Sequence, residues 1–370
     1  MTAPDNRPGI SQTIAMAITC ILTTAFSPTA RSQSSITVYG IIDTYSTFIR
    51  SGSKMAYGVD SGGMQVSRWG IRGKQELSGS NTLNFALESG YNANSGTQSV
   101  PGSLFNRQAY LGISNQSWGE FRLGQQNSIM FNLLGNLAAF YGGSYAAGMG
   151  TESGYNVRNS NDIMYSTPRF AGWRGEFHWS LSNDASSFLH GTTRQAAIEY
   201  QKSRTYFLAA YLESRPSLNS PATYSNIVDR QLAIGGSYDI NPFKIYAGYF
   251  RNKQSDRKIN KDLYSVSGTY FIGPADEVGV GYTYISVAAD AANTDAATFS
   301  GKGHANHFGI MYLHLLSKRT TVYMSYAYLM NSSGLRYALG AAQPPSGALL
   351  NRPDSGIATQ GLMLGIRHLF

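Results

Sequence analysis

The sequence predicts an all-β fold, a sixteen-stranded antiparallel transmembrane β-barrel with a long third loop folded into the lumen. Three observations carry this. The chain ends on an alternating strand in which Leu362, Leu364, Ile366, His368 and Phe370 share one parity. It opens on a segment with the parts of an export signal. Between the two, alternating segments recur, joined by connections that are by turns short and long. A membrane barrel alternates lipid-facing apolar residues with polar lumen residues, with short periplasmic turns and long extracellular loops.

Composition agrees. Of 370 residues, 42% are hydrophobic and only 14% charged, against roughly a quarter charged in a soluble domain. Tyr (25) and Gly (40) are abundant, yet no apolar run approaches the ~18 residues of a membrane-spanning helix. A soluble sandwich or propeller is the alternative, but a propeller would repeat a blade motif and none is found. The formal charge is +8. Its basic residues form no run and no recognition motif, which argues against nucleic acid and for a basic lumen.

At the N-terminus, Arg7 precedes an apolar stretch from Ile14 to Phe26, and Ala30-Arg31-Ser32 offers a small-x-small cleavage site. Residues 1–32 are expected to be a signal peptide cleaved before Gln33, leaving 33–370 as the barrel. The only cysteine, Cys20, lies inside that peptide, so no disulfide is expected in the mature chain.

The strands follow in order. Ile36–Ile49 is the first. Ser67–Leu77 puts Trp69, Ile71 and Leu77 on one face and Arg68, Arg72, Lys74 and Glu76 on the other. Thr82–Tyr91 turns Leu83, Phe85, Leu87 and Tyr91 outward and Asn84 and Glu88 inward. Phe105–Ser114, Gly119–Gln125, Ser160–Pro168, Arg174–Ser182, Gln195–Gln201, Thr205–Ser214 and Asp229–Asp239 come next. The last six are Phe243–Arg251, Asp262–Phe271, Asp276–Ser286, His304–Leu315, Thr320–Met330 and Gly356–Phe370. Short turns such as Ser78–Asn81, Ile240–Pro242 and Leu316–Lys318 alternate with long loops such as Arg50–Val66, Asn92–Leu104, Gln126–Asn159 and Asn331–Ser355. Sixteen is an even number, as bacterial barrels require.

A sixteen-stranded barrel leaves an aqueous channel unless something enters it. The loop Gln126–Asn159 is long enough to be functional. It carries Phe131, Phe140, Tyr141, Gly142 and Gly143, and is expected to fold inward and narrow the pore. Facing it are placed Arg68, Arg72, Lys74, Arg107, Arg122 and Arg158. Asp43 and Glu88 point inward on neighbouring strands, and Glu152 is the loop's one acid. Rings of Arg and Lys favour anions, and fixed charge at a narrow waist outweighs charge at the mouths. A weak to moderate anion preference follows, with small hydrophilic solutes and ions as cargo.

Catalysis is the rival class, and it lacks its residues. None of His178, His190, His304, His307, His314 and His368 sits in a Gly-x-Ser-x-Gly or His-Glu-x-x-His setting. His304 and His307 fall on opposite faces of a strand and cannot share a metal. Asp290 and Asp295, in a small-residue loop, make only a weak case for calcium, since a site normally takes six to eight oxygens. No enzyme, metal or cofactor is expected. A substrate-specific channel with an aromatic slide is the second reading, and an adhesin or phage receptor built on the long loops could coexist with a pore.

The chain resembles the general porins of Gram-negative bacteria, most closely the trimeric porins of beta-proteobacteria. The resemblance covers nearly all of the mature chain. It rests on Ser34-Ser35-Ile36-Thr37-Val38-Tyr39-Gly40, Ser67-Arg68-Trp69-Gly70-Ile71-Arg72-Gly73, Leu87-Glu88-Ser89-Gly90 and Leu104-Phe105-Asn106-Arg107-Gln108-Ala109-Tyr110-Leu111-Gly112. Further matches are Leu316-Ser317-Lys318-Arg319-Thr320-Thr321-Val322-Tyr323 and Gly365-Ile366-Arg367-His368-Leu369-Phe370. It implies a homotrimer with one pore per subunit, set in outer-membrane lipid and lipopolysaccharide, with the third loop in the lumen. It also implies a wall arginine cluster facing acids on that loop. Arg68 and Arg107 match two of those arginines, and Arg158 a third approximately. The loop departs from the family, since Ala138-Ala139-Phe140-Tyr141-Gly142-Gly143 carries no acid before the Phe-x-Gly-Gly turn. Phe370 resembles the signal read by the barrel-assembly machinery. Tyr91, Tyr110, Trp179, Tyr326 and Tyr328, at strand ends, suit the membrane interface.

Overall fold

The structure is a computed structural model, which describes residues 34–140, 143–182, 187–216, 227–255, 260–288, 302–342 and 353–370. The signal segment, Tyr141, Gly142, Asp290 and Asp295 lie outside the described residues.

Alternation produces a closed antiparallel sheet. Its strands are β1 (Ser34–Ser51), β2 (Lys54–Ser61), β3 (Arg68–Glu76), β4 (Thr82–Gly90), β5 (Gln108–Asn115), β6 (Gly119–Asn127), β7 (Arg158–Ser166), β8 (Trp173–Ser180) and β9 (Thr193–Lys202). They continue as β10 (Thr205–Ser214), β11 (Asp229–Ile240), β12 (Phe243–Gln254), β13 (Asn260–Phe271), β14 (Asp276–Val287), β15 (Gly303–Leu315), β16 (Thr320–Asn331) and β17 (Thr359–Leu369). β1 pairs with both β2 and β3, each strand from β3 onward pairs with the next, and β17 closes on β1 with Ile41 opposite Leu369. Phe370 exchanges both backbone hydrogen bonds with Gly40 at 3.1 Å, so the terminal residue completes the seam.

Seventeen segments make sixteen wall positions because β2 and β3 share one. The lower part of β1 pairs with β3 and the upper part with β2. Residues 50–66, read from sequence as one long loop, are therefore mostly a hairpin: β1 runs on to Ser51 and Met55, Tyr57 and Val59 alternate outward on β2. The wall then dips inward at 62–66. The buried Asp43 carboxylate holds that dip, accepting the backbone N–H of Gly63 (3.3 Å), Met64 (3.0 Å) and Gln65 (2.8 Å) and the Tyr323 hydroxyl (2.6 Å). Two other strand starts were read early: β5 begins at Gln108 and β17 at Thr359.

The outer face bears Ile36, Leu111, Phe207, Ile245, Val266 and Ile366, all strongly exposed, as a wall bathed in lipid requires. Trp179, Tyr326 and Tyr328 are exposed on it. Tyr110 is not an interface residue. It shares the inward parity of Gln108, and the Arg122 guanidinium lies 4.6 Å from its ring centroid inside the lumen.

Candidate functional site: the channel waist

The loop between β6 and β7 runs across the lumen rather than over the mouth. It starts with a short helix, Ile129–Leu134, capped by Ser128, whose hydroxyl accepts the N–H of Phe131. Its backbone then docks on inward-facing side chains of successive strands. Ile129 N–H donates to Gln195 (2.9 Å), Ala139 to Ser267 (2.9 Å) and Ala146 to Ser325 (3.1 Å), and the hydroxyls of Tyr145 and Thr47 meet at 2.6 Å. The return leg contains the helix Gly148–Glu152, and the Asn156 N–H donates to Gln231 at 3.2 Å.

Wall glycines make the seat. A Cβ on Gly281 would stand 2.6 Å from the Phe140 ring, and one on Gly309 would stand 2.4 Å from the Ala146 carbonyl oxygen. The inward sites around them are apolar: Leu208, Leu212, Phe250, Leu263, Ile285 and Leu329 are all fully buried. Sequence reading assigned inward positions a polar character, and here the loop replaces water as their solvent. A third inward segment packs behind it, with Leu335, Tyr337 and Leu339 buried and Tyr337 tied through its backbone to Asn331 (2.9 and 3.0 Å).

What remains open lies against β3–β8. A cavity of about 320 Å³ is bounded by Met64, Gln65 and Arg68 on one side and by Phe131, Asn132 and Asn136 of the loop on the other. Among the described residues, Arg68 is the one charged side chain lining it. Beside it stands a cluster of three guanidinium groups around one carboxylate, two of which pair with it. Arg107 Nε donates to Glu88 Oε1 at 2.6 Å, Arg68 Nε lies 3.5 Å from Oε2, and the Tyr39 hydroxyl donates to Oε2 at 2.9 Å. Arg158 makes no ion pair among the described residues. Its guanidinium and that of Arg107 lie over the Phe131 ring, 5.4 and 5.9 Å from the centroid, an attraction between cation and ring quadrupole. Arg72 covers Tyr39 at 5.0 Å, and Lys74 follows it, exposed to the lumen.

A second cavity, about 400 Å³, opens toward the short turns and shares Asn132 and Asn136 with the first. Its charges are balanced. Arg122 binds Glu120 through two 2.9 Å bonds, Arg174 pairs with Glu176 (3.3 Å) and Glu199 (3.5 Å), and Arg169 reaches Glu199. His178 bridges Asp162 (2.5 Å) and Glu176 (3.1 Å).

A family model for Gram-negative porins matches residues 16–334. The chain belongs to the Gram-negative porin family. This porin is an outer-membrane diffusion channel, not an enzyme. It is 28% identical to an outer membrane porin protein of Bordetella pertussis, over 87% of this chain and 95% of that one. It is 27% identical to outer membrane porin protein 32 of Delftia acidovorans, over 94% and 97%. In fold it is similar to the anion-selective porin from Comamonas acidovorans, with a TM-score of 0.73, 22% identity and coverage of 91% and 100%.

Within this porin the residues expected at the waist separate into groups. Arg68, Arg107, Arg158 and Glu88 come together beside Phe131. Arg72 and Lys74 continue the basic strip. Arg122 lies in the balanced cavity. Asp43 is spent on the dip at 62–66. Glu152 is buried against the far wall, 3.7 Å from His307, where Lys261 donates to its backbone carbonyl at 3.0 Å. Phe140 and Gly143 seat the loop, whereas Phe131 faces the cluster. Arg367 escaped the sequence reading. It is inward on β17 and donates to Gln65 and Thr321, each at 3.1 Å. Parity held the signal, since its neighbours Ile366 and His368 were already placed outward.

Proposed function

We propose that this porin is a general diffusion channel for ions and small hydrophilic solutes, with a weak to moderate preference for anions. The observation that carries it is the waist, where two guanidinium groups pair with a single carboxylate, a third, Arg158, stands beside them without an ion pair among the described residues, and the facing loop offers Asn132 and Asn136 instead of an acid. A permeating cation meets uncompensated positive charge there, and an anion meets donors. The relative from Comamonas acidovorans, described as anion-selective, supports this reading. The loop limits size, and the whole works as a homotrimer in outer-membrane lipid and lipopolysaccharide; one solved relative, from Vibrio cholerae, is described as a trimer. Phe370, at the closing seam, would be read by the barrel-assembly machinery.

The test is the zero-current potential of the purified protein in a planar bilayer under a KCl gradient. The wild type should show the sign of anion preference in large ohmic steps, and Arg68→Gln with Arg158→Gln should reduce it. An unchanged potential in the double variant would remove the cluster from the selectivity site. Small steps blocked by one solute class would favour a substrate-specific channel.

A further inference from the structure

The waist cavity is not lined as a passage for water and small ions alone would require. On its wall side Val66 lies between Gln65 and Arg68, and on its loop side Phe131, Leu134 and Tyr155 accompany Asn132. The Phe131 and Tyr155 rings are half-buried, their centroids 6.4 Å apart and their planes inclined at 52°. They are splayed rather than stacked, and both line the open space. The larger cavity toward the short turns is different. No aromatic residue lines it among the described residues, and its charges are already paired.

The donors at the waist are only partly used. Arg68 turns Nε to Glu88 (3.5 Å) and gives one terminal nitrogen, Nη1, to the Val66 carbonyl at 3.2 Å. Its other terminal nitrogen, Nη2, has no acceptor among the described residues. Arg367 holds the Gln65 amide oxygen at 3.1 Å, which leaves the NH2 end of that amide over. The Asn132 side chain makes no hydrogen bond among the described residues, although its backbone N–H continues the short helix by donating to Ser128 at 3.1 Å. Three donors without acceptors therefore border one cavity, and a fixed positive charge stands among them.

A chloride ion or a sugar would use the donors and leave the apolar surface in contact with water. A carboxylate carried on a flat apolar body uses both. Guanidinium and amide N–H groups hold a carboxylate in pairs, and aromatic rings gain from meeting another ring edge-on or offset. About 320 Å³ lies at the small end of ligand pockets, which suits one ring and one carboxylate.

We propose that the waist holds a subsite for aromatic carboxylates, with the carboxylate on Arg68, Gln65 and Asn132 and the ring against Phe131 and Tyr155. The inference rests on the reading of the channel as anion-preferring and names the class of organic anion that it retains longest.

The experiment is single-channel recording of the purified protein in a planar bilayer in KCl, with benzoate, acetate or benzamide added. Benzoate should interrupt the current at a concentration about tenfold lower than acetate. Benzamide has the ring without the charge and should do no better than acetate. Phe131→Ser should bring benzoate to the level of acetate, and Arg68→Gln should weaken both carboxylates. Equal interruption by benzoate and acetate in the wild type would overturn the proposal. Benzamide acting as strongly as benzoate would remove the anionic anchor and overturn it too. Should Phe131→Ser fail to assemble, Tyr155→Ser should raise the benzoate concentration needed by about threefold, and an unaltered response would remove the aromatic side of the subsite. The zero-current potential in KCl alone tests the anion preference separately. A channel that prefers chloride but treats benzoate as acetate would keep that reading and lose only this one.

Discussion

The inner wall of β3–β9 and the inner wall of β10–β17 follow the same alternation but meet different solvents. The first presents Arg68, Arg122, Arg174, Glu176 and Glu199 to the two open cavities, with the buried Glu88 paired behind Arg68. The second presents Leu208, Phe250, Leu263, Ile285 and Leu329, all fully buried, together with Gly281 and Gly309 at closest approach to the loop. The loop is thus the lining of one half of the barrel rather than a bar across its centre. On the proposed function, a solute would pass along the charged half, and that half would set selectivity. Within it a second contrast holds. The waist carries surplus positive charge, whereas the vestibule beyond carries arginines already matched to carboxylates.

The largest effect should come from breaking the pair at the heart of the charged half. Arg107 and Glu88 have side chains only 4% exposed. Arg107→Gln leaves the carboxylate with the more distant Arg68 and should cost about 3–5 kcal/mol, seen as a lower unfolding temperature of the assembled barrel. Adding Glu88→Gln should recover most of the loss. If it does not, the pair is not what holds that wall.

A smaller effect should come from the covered half. Gly281→Leu drives a side chain into the Phe140 ring and should cost about 1–3 kcal/mol. The loop should lift from its seat and single-channel conductance should rise. Unchanged conductance would mean that the loop does not confine the pore. Phe140→Ala in the same background should relieve the crowding, which separates a displaced loop from a damaged barrel.

Acidity should act on the same seat. Burial pushes the Glu152 carboxyl up to about 8, against the pull of Lys261 and the hydrogen bond from Thr151. The seated loop therefore keeps a proton that a released loop gives up near 4.5. This contribution is complete below pH 4.5 and is lost as pH rises through about 8. Conductance fluctuations should grow between pH 7 and pH 9, and Glu152→Gln should flatten that dependence. A wild-type channel insensitive across this window would contradict the buried, protonated state.

The smallest effect belongs to the vestibule. Neutralising Arg122 and Glu120 together removes a pair that is matched and partly solvated, worth about 0–1 kcal/mol. It should move the zero-current potential less than Arg68→Gln does. A larger shift would reverse the contrast between waist and vestibule.

Legibility tracked the range of the interaction. Strand parity is local: each side chain points opposite to its neighbour. The outward Trp69, Leu83, Phe85 and Leu87 and the inward Arg68, Arg72, Lys74 and Glu88 could therefore be read directly, and the same rule would have found Arg367. Arg107 and Arg68 were legible as candidates, but not their sharing of Glu88, which depends on how β3, β4 and the start of β5 stack. Tyr110 was misplaced because a tyrosine suits either a lipid interface or a guanidinium partner, and its neighbour Arg122 lies across the sheet. The hairpin through β2 was missed because its turn interrupts one wall position instead of joining two.

The sequence alone therefore determined the barrel, its strand number and its basic interior, since alternation and connection length are properties of adjacent residues. Only the tertiary structure decided where the water is. The inward leucines and glycines of β10–β17 become a seat only when a loop distant in sequence, 179 residues away at Ala146 and Ser325, excludes solvent from them. By the same burial Glu152 is withdrawn to the far wall, and the positive surplus is left concentrated at the waist.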